Sequence, residues 1–337
     1  MSTPRADERR RPRRAGWIVA ALAGATAIAV GIAALVGGLP ALFGGAGAHT
    51  PAPGTRFAVL AESSAAEAST TDSGAARDAA TYLAAEPTAY WFTPERDPIG
   101  AAGGRLRLLA GEARAQQAVL ALVIYGLPGR DCGNHSAGGL SAADYPVWIE
   151  EIGAALRAES DVPAVIVLEP DSLALAEECG NLTERVAELR PAIAALQRPG
   201  SWIYLDGGHS NWHPAAEQAR LLRAVGGDGV RGFSLNVSNF NATDAEIAYA
   251  HAVAADLGGD AHALIDTSRN GAGSNGQWCN PPGRLVGDLA GALGDDVVDT
   301  NVWIKPPGES DGPCNGGPAA GRWWPAAAEE LTRVARR

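Results

Sequence analysis

Six short stretches of this sequence each close on residues able to move a proton or hold a polar ligand. They are VIYGLPGRDCG with Arg130 and Asp131, VLEPDSL with Glu169 and Asp171, YLDGGHSNWH with Asp206, His209 and Trp212, LNVSNFN with Asn236 and Asn239, LIDTSRNG with Asp266, Arg269 and Asn270, and WIKPPGESDG with Lys305, Glu309 and Asp311. Carboxylates gathered at one place can divide acid and base work. The charges of its neighbours keep one protonated, ready to donate to a leaving oxygen, while another stays ionised and activates water. Trp91, Trp212, Trp278 and Trp303 lie near the same stretches and offer flat apolar faces to the C–H side of a sugar ring, although a tryptophan serves as readily in a core. Together these types point to glycoside hydrolysis.

Other motifs carry less. Gly308, Ser310 and Gly312 spell G-x-S-x-G, but a nucleophile elbow needs a helix straight after the serine, and Pro313, Cys314, Gly316, Gly317 and Pro318 follow instead. Gly227, Gly229 and Gly232 spell G-x-G-x-x-G after a helix-like segment and before a strand-like one, the wrong order for a dinucleotide fold, and are expected to form a connecting turn. The six histidines form no H-E-x-x-H, and the acids lack EF-hand spacing, so no metal and no cofactor are expected.

Something must bring these stretches together. Runs at 118–125, 164–170, 201–208, 232–238, 262–268 and 301–306 are rich in Val, Ile, Leu and aromatics and predict buried strands. Segments at 142–159, 181–198, 213–225 and 243–257 predict the helices between them. Residues 57–117 are Ala-rich and predict mostly helix around Tyr90, Trp91 and Phe92. Alternation of strand and helix implies an α/β fold with a parallel sheet, here a distorted, TIM-like β/α barrel, incompletely closed or closed, in one domain. In such a barrel the residues after the strands share one mouth.

The acidic body fits no nucleic-acid partner. The chain carries 27 Lys plus Arg against 38 Asp plus Glu, and residues 1–48 hold a net +4, leaving −15 for the rest. That basic start precedes an uncharged apolar run from Trp17 and the small triplet Ala46, Gly47, Ala48, which predicts an export leader over 1–48, either cleaved after Ala48 or retained as a membrane anchor. Residues 49–56 form a short spacer and 57–337 the exported body. Outside the cell, Cys132, Cys179, Cys279 and Cys314 suggest two disulfides rather than free thiols. Of three pairings, 132–179 with 279–314 keeps each bridge within neighbouring parts of the chain.

PGRDCG, EPDSL, LDGGHSNWH, the QWCN segment and WIKPPGESDG, in this order, resemble glycoside hydrolase family 6, the inverting endo-β-1,4-glucanases and cellobiohydrolases, over residues 57–337. The resemblance implies Asp171 as general acid, Asp131 as the neighbour that raises its pKa and helps organise the water, and Asp311 at the position usually proposed as base, acting directly or through water. It implies Ser136 in the loop that holds that water and Tyr125 under a distorted sugar. Lys305, Glu309, His209, Trp212, Asn239 and Trp278 would line the sugar subsites, with Trp91 the platform just upstream of the cleavage point. Lys305 is the only lysine beside 26 arginines. Gly129 stands where relatives often carry an acid or amide.

A compact body without the insertions that roof a tunnel implies an open cleft and internal cuts. No carbohydrate-binding module or linker is visible, which points to soluble or amorphous glucan. The expected partner is a β-1,4-glucan or cello-oligosaccharide bound by a monomer. The competing expectation is a non-catalytic glucan-binding protein tethered to the membrane, which would need neither Asp171 nor Asp311.

Overall fold

The computed structural model describes residues 50–335 apart from 134, 135, 137 and 259. The expected leader over 1–48 lies outside them. Among the described residues no helix is long and apolar enough to cross a membrane.

Among the described residues seven strands form one parallel sheet in chain order: β1 (Tyr90–Phe92), β2 (Leu120–Ile124), β3 (Ala164–Leu168), β4 (Ser201–Asp206), β5 (Gly232–Leu235), β6 (His262–Asp266) and β7 (Val298–Val302). Two short helices, α1 (Ser64–Thr71) and α2 (Gly74–Ala84), precede β1. Crossover helices α3 (Ala102–Gln116), α4 (Asp144–Ala158), α5 (Leu182–Leu196), α6 (Ala215–Val225) and α7 (Thr243–Leu257) link successive strands up to β6, and α8 (Pro325–Thr332) follows β7. The sheet curls toward closure. Its edges touch where Thr88 pairs with Trp303, Ala89 N donates to Trp303 O at 2.8 Å, and the Trp91 indole donates to Ile304 O at 2.8 Å. The expected incompletely closed barrel is what forms.

Period-two alternation sorts the strand side chains between two apolar layers. Leu120, Leu122, Ile124, Ile166, Leu168, Ile203, Leu205, Phe233 and Ile265 pack outward with the helices, whereas Ala121, Val123, Val165, Val167, Tyr204, Leu264 and Val302 fill the barrel interior. Buried on both faces, these strands read in sequence as continuous apolar runs.

Three expectations shift. Tyr90–Phe92 is the first strand rather than part of a helical stretch, because three residues are too few to show a period. The last strand runs over 298–302 instead of 301–306. Its polar residues are buried, and two of them are paired: Asp299 accepts from the Tyr204 hydroxyl at 2.6 Å and from Arg231 at 2.8 Å twice, and Asn301 donates to Thr267 Oγ1 at 2.8 Å. Trp303 is core, 1 % exposed, with its indole donating to Asp288 O at 3.0 Å. It therefore offers no platform to a ligand. The turn containing Gly227 and Gly229 does connect α6 to β5, as expected.

Both disulfides form in the expected pairing, Cys132–Cys179 with Cα atoms 6.0 Å apart and Cys279–Cys314 with 6.1 Å.

Candidate active site

All six chemistry-bearing stretches follow the C-terminal ends of β2 to β7, where a parallel barrel places its functional side chains. Their backbones are unusual. Asp131, Cys132, Glu169, Asp171, Asn236 and Ser238 all adopt positive φ, between 48° and 68°. Left-handed backbone costs a non-glycine residue roughly 1–2 kcal/mol, so something must hold these turns.

Buried carboxylates hold them. Glu169, 1 % exposed, accepts from Gly126 N at 3.0 Å through both oxygens and from Leu127 N at 3.2 Å, tying the β2 loop to the β3 loop. Asp206, 2 % exposed, accepts from Asp171 N at 2.7 Å and Gly208 N at 3.1 Å. Asp266, wholly buried, takes four backbone N–H groups from three loops: Ser238 at 3.0 Å, Ser268 at 2.9 Å, Ile304 at 3.1 Å and Lys305 at 3.0 Å. Glu246 on α7 does the same for the loop after β4, receiving Ser210 N at 3.0 Å and Ser210 Oγ at 2.6 Å. Sequence places Glu169, Asp206 and Asp266 at the mouth but carries no signal that separates acids facing a ligand from acids folded under the loops.

Asp171 and Asp131 come together. Asp171 is half-buried, and its carboxyl is pushed well above the ordinary carboxylate value, first by burial, then by the charge of Asp206 and next by that of Asp131. Asp206 is itself pushed up to about 7 by burial, against the pull of its backbone donors. Asp171 and Asp131 are also felt at the Tyr125 hydroxyl, whose pKa rises by burial first, then by the charge of Asp171. Asp131 Oδ2 accepts from Ser136 N at 2.8 Å, while Arg130 Nε donates to Ser136 O at 2.9 Å. Arg130 also donates to Tyr125 O at 2.8 Å, pairs with Glu95 at 3.1 Å and stacks over the Tyr125 ring at 4.4 Å. Trp91 meets the same ring edge-on at 5.4 Å, so Trp91, Tyr125, Ser136, Asp131 and Asp171 form one group.

Asp311 sits differently. Arg269 Nη1 donates to both its oxygens, at 2.8 and 2.9 Å, and Asn280 N adds 3.0 Å; the side chains of Arg269 and Asp311 are 4 % and 7 % exposed. Asn280 also receives Asp311 N on Oδ1 at 2.8 Å and follows Cys279, so the second disulfide and this amide fix the loop. Sequence reasoning put Arg269 at the mouth without seeing it as the partner of Asp311, and passed over Asn280 within the QWCN segment. Ser310 is wholly buried, its hydroxyl donating to Pro318 O at 2.9 Å, which removes it as a nucleophile.

Among the expected sugar-contacting residues, Glu309 Oε1 accepts from Ser64 Oγ at 2.6 Å and lines a cavity with Trp91. Lys305 and Asn239 are half-buried on loops pinned by Asp266. His209 and Trp212 pack with ring centroids 5.3 Å apart. Burial, and then the charge of His213, lowers the His209 pKa to about 4, so the ring is neutral near pH 7 and accepts from Asn211 N on Nδ1 at 3.2 Å. Trp278 is 48 % exposed beside the Cys279–Cys314 bridge.

A family model for Glycosyl hydrolases family 6 matches residues 55–335. The chain belongs to this family. It is 40 % identical over 255 residues to Endoglucanase A of Cellulomonas fimi, covering 75 % of this chain and 56 % of that protein, and 41 % identical over 262 residues to Endoglucanase 1 of Streptomyces halstedii, covering 74 % and 79 %. This family 6 chain thus spans little more than half the length of the first relative. Among solved structures it resembles the endoglucanase Cel6 from Mycobacterium tuberculosis in complex with methyl-cellobiosyl-4-deoxy-4-thio-β-D-cellobioside, with a TM-score of 0.78, 38 % identity and coverage of 86 % of this chain and 100 % of that one.

Proposed function

We propose that this family 6 protein hydrolyses β-1,4-glucosidic bonds in cellulose or related β-glucans, cutting within the polymer and inverting the anomeric centre. The observation that carries the proposal is the setting of Asp171: a half-buried carboxyl whose own amide donates to Asp206 at 2.7 Å, with its pKa pushed above the ordinary carboxylate range by burial and by the charges of Asp206 and Asp131, which favours the protonated form. It donates its proton to the glycosidic oxygen as the C1–O bond breaks. Water attacks C1 from the opposite face and loses its proton toward the base. Asp311 has both oxygens engaged by Arg269 and Asn280, which supports a proton path to it through further water rather than by direct contact. Asp131 and Ser136 organise the attacking water, and Tyr125 lies under the reacting ring.

Glucan as substrate is supported by relatives named endoglucanase or 1,4-β-D-glucan cellobiohydrolase and by solved neighbours holding cello-oligosaccharide ligands. Internal cutting is supported by the higher identity to proteins named endoglucanase, about 40 % against 34 % for the cellobiohydrolases. Two disulfides support an oxidising compartment outside the cell, whether the protein is released or anchored by its N-terminal segment.

The test is proton NMR of cellopentaose cleavage. The α-anomer should appear first, and Asp171→Asn should lower kcat by roughly 10²- to 10⁴-fold while the oligosaccharide still binds. A β-anomer overturns inversion. Binding without any release by the parent protein overturns hydrolysis.

A further inference from the structure

Between α8 and the loops that carry Arg269 and Asn280 lies a cavity of about 370 Å³. Its walls combine Arg269, Arg284, Glu309, Glu330, Asn315 and the indole of Trp324. Two guanidinium groups would repel a cation and two carboxylates an anion, and so many polar groups would disfavour a purely apolar guest. A neutral polyhydroxylated ring suits such walls, since each hydroxyl both donates and accepts and a pyranose lays its C–H face on an aromatic side chain.

Arg269 anchors one side of this cavity. The residue is 3 % exposed; Nη1 is committed to Asp311 and Nη2 to Ser238 O, yet Nε has no hydrogen-bond partner among the described residues. A buried N–H left unpaired is costly and uncommon in a folded protein. That nitrogen is itself sealed from solvent, so a ligand's hydroxyls would meet the other polar groups of the wall. Glu330 meanwhile spends Oε1 on Gly283 N and Glu309 spends Oε1 on Ser64 Oγ.

We propose that this cavity is a second glucosyl-binding site, separate from the cleavage site and adjoining it through Glu309, which also lines the cavity containing Trp91. Its volume holds about one or two sugar rings. Occupied by part of a polymer already engaged at the cleavage site, it would raise retention on glucan through a higher effective concentration without touching the reacting bond. The assignment rests on the β-glucan reading above.

The experiment uses native gel electrophoresis with and without soluble mixed-linkage β-glucan, in an Asp171→Asn background that does not digest the gel. Trp324→Ala removes the aromatic wall and Ala327→Phe fills the cavity from α8, so failure of either variant to fold leaves the other to decide. Retardation should weaken by about threefold or more in both. With Asp171 restored, kcat and KM on cellopentaose should stay within about twofold of the parent. Unchanged retardation in the folded variants overturns the site, and a large loss of kcat on cellopentaose at unchanged thermal midpoint makes the cavity part of the cleavage site, which overturns its separateness. A parent that neither cleaves cellopentaose nor is retarded instead refutes the β-glucan reading.

Discussion

The backbone amide of Asp171 donates to Asp206 Oδ2 at 2.7 Å, while the charge of Asp206 raises the pKa of the Asp171 side chain. One buried carboxylate thus fixes where the proton donor sits and biases it to stay protonated. The two groups titrate as a pair. In Asp206→Asn the amide oxygen can still accept from Asp171 N, but the charge is gone, so Asp171 should ionise more readily. The alkaline limb of the pH profile of kcat/KM should move to lower pH by about one unit, with a smaller change at the acid limb. A profile lowered uniformly at every pH would assign Asp206 a purely structural part.

Buried clamps also set the pH dependence of stability. Burial raises Glu169 and Glu246 to about 7, from ordinary values near 4.5. Between those limits the folded state binds more protons than the unfolded chain, so stability is full below about pH 4.5 and is lost as pH rises through 7. Glu169 alone should account for on the order of 3 kcal/mol. His209, lowered to about 4, acts in the opposite sense as a single group and only partly offsets this. Urea midpoints should fall from pH 5 to pH 8, and Glu169→Gln should flatten the slope.

Most of the fold was legible because its strands are buried on both faces and its crossover helices are long. The helix predicted over 243–257 coincides with α7, whereas the last strand was expected at 301–306 rather than 298–302 because Asp299 and Asn301 look exposed in sequence and are paired only by distant residues, Asp299 by Tyr204 and Arg231 and Asn301 by Thr267. The mouth was legible for the same reason, since a parallel barrel gathers whatever follows its strands. Which carboxylate faces a ligand was not. Asp266 and Asp171 follow similar apolar runs, yet one folds under three loops and the other meets Asp131 and Tyr125. That difference lies in backbone turns of positive φ, which residue types other than glycine do not announce.

Arg269 and Asp311 form a nearly dry ion pair, so breaking it from one side should cost more than removing it whole. Arg269→Met leaves the Asp311 carboxylate buried without its cation and should destabilise by about 3–5 kcal/mol. The double variant Arg269→Met with Asp311→Asn should recover part of that loss, giving a positive coupling in a double-mutant cycle. Thermal and denaturant unfolding of the four proteins measure it. Additive losses would mean that the two side chains act independently despite the 2.8 Å contact.

The Cys132–Cys179 bridge closes a separation of 47 residues and begins one residue after Asp131. In the chain-entropy view it should stabilise by about 4 kcal/mol, less any native strain. Its second consequence is local. Cys132, like Asp131, holds a positive φ, and the carboxylate of Asp131 meets Ser136 N only while the turn keeps that shape. Cys132→Ser with Cys179→Ser should therefore lower kcat on cellopentaose at temperatures well below the unfolding midpoint, whereas Cys279→Ser with Cys314→Ser should act on the Asp311 loop. A variant of the first pair that loses several degrees of thermal stability yet keeps the parent kcat would separate the bridge from the placement of Asp131.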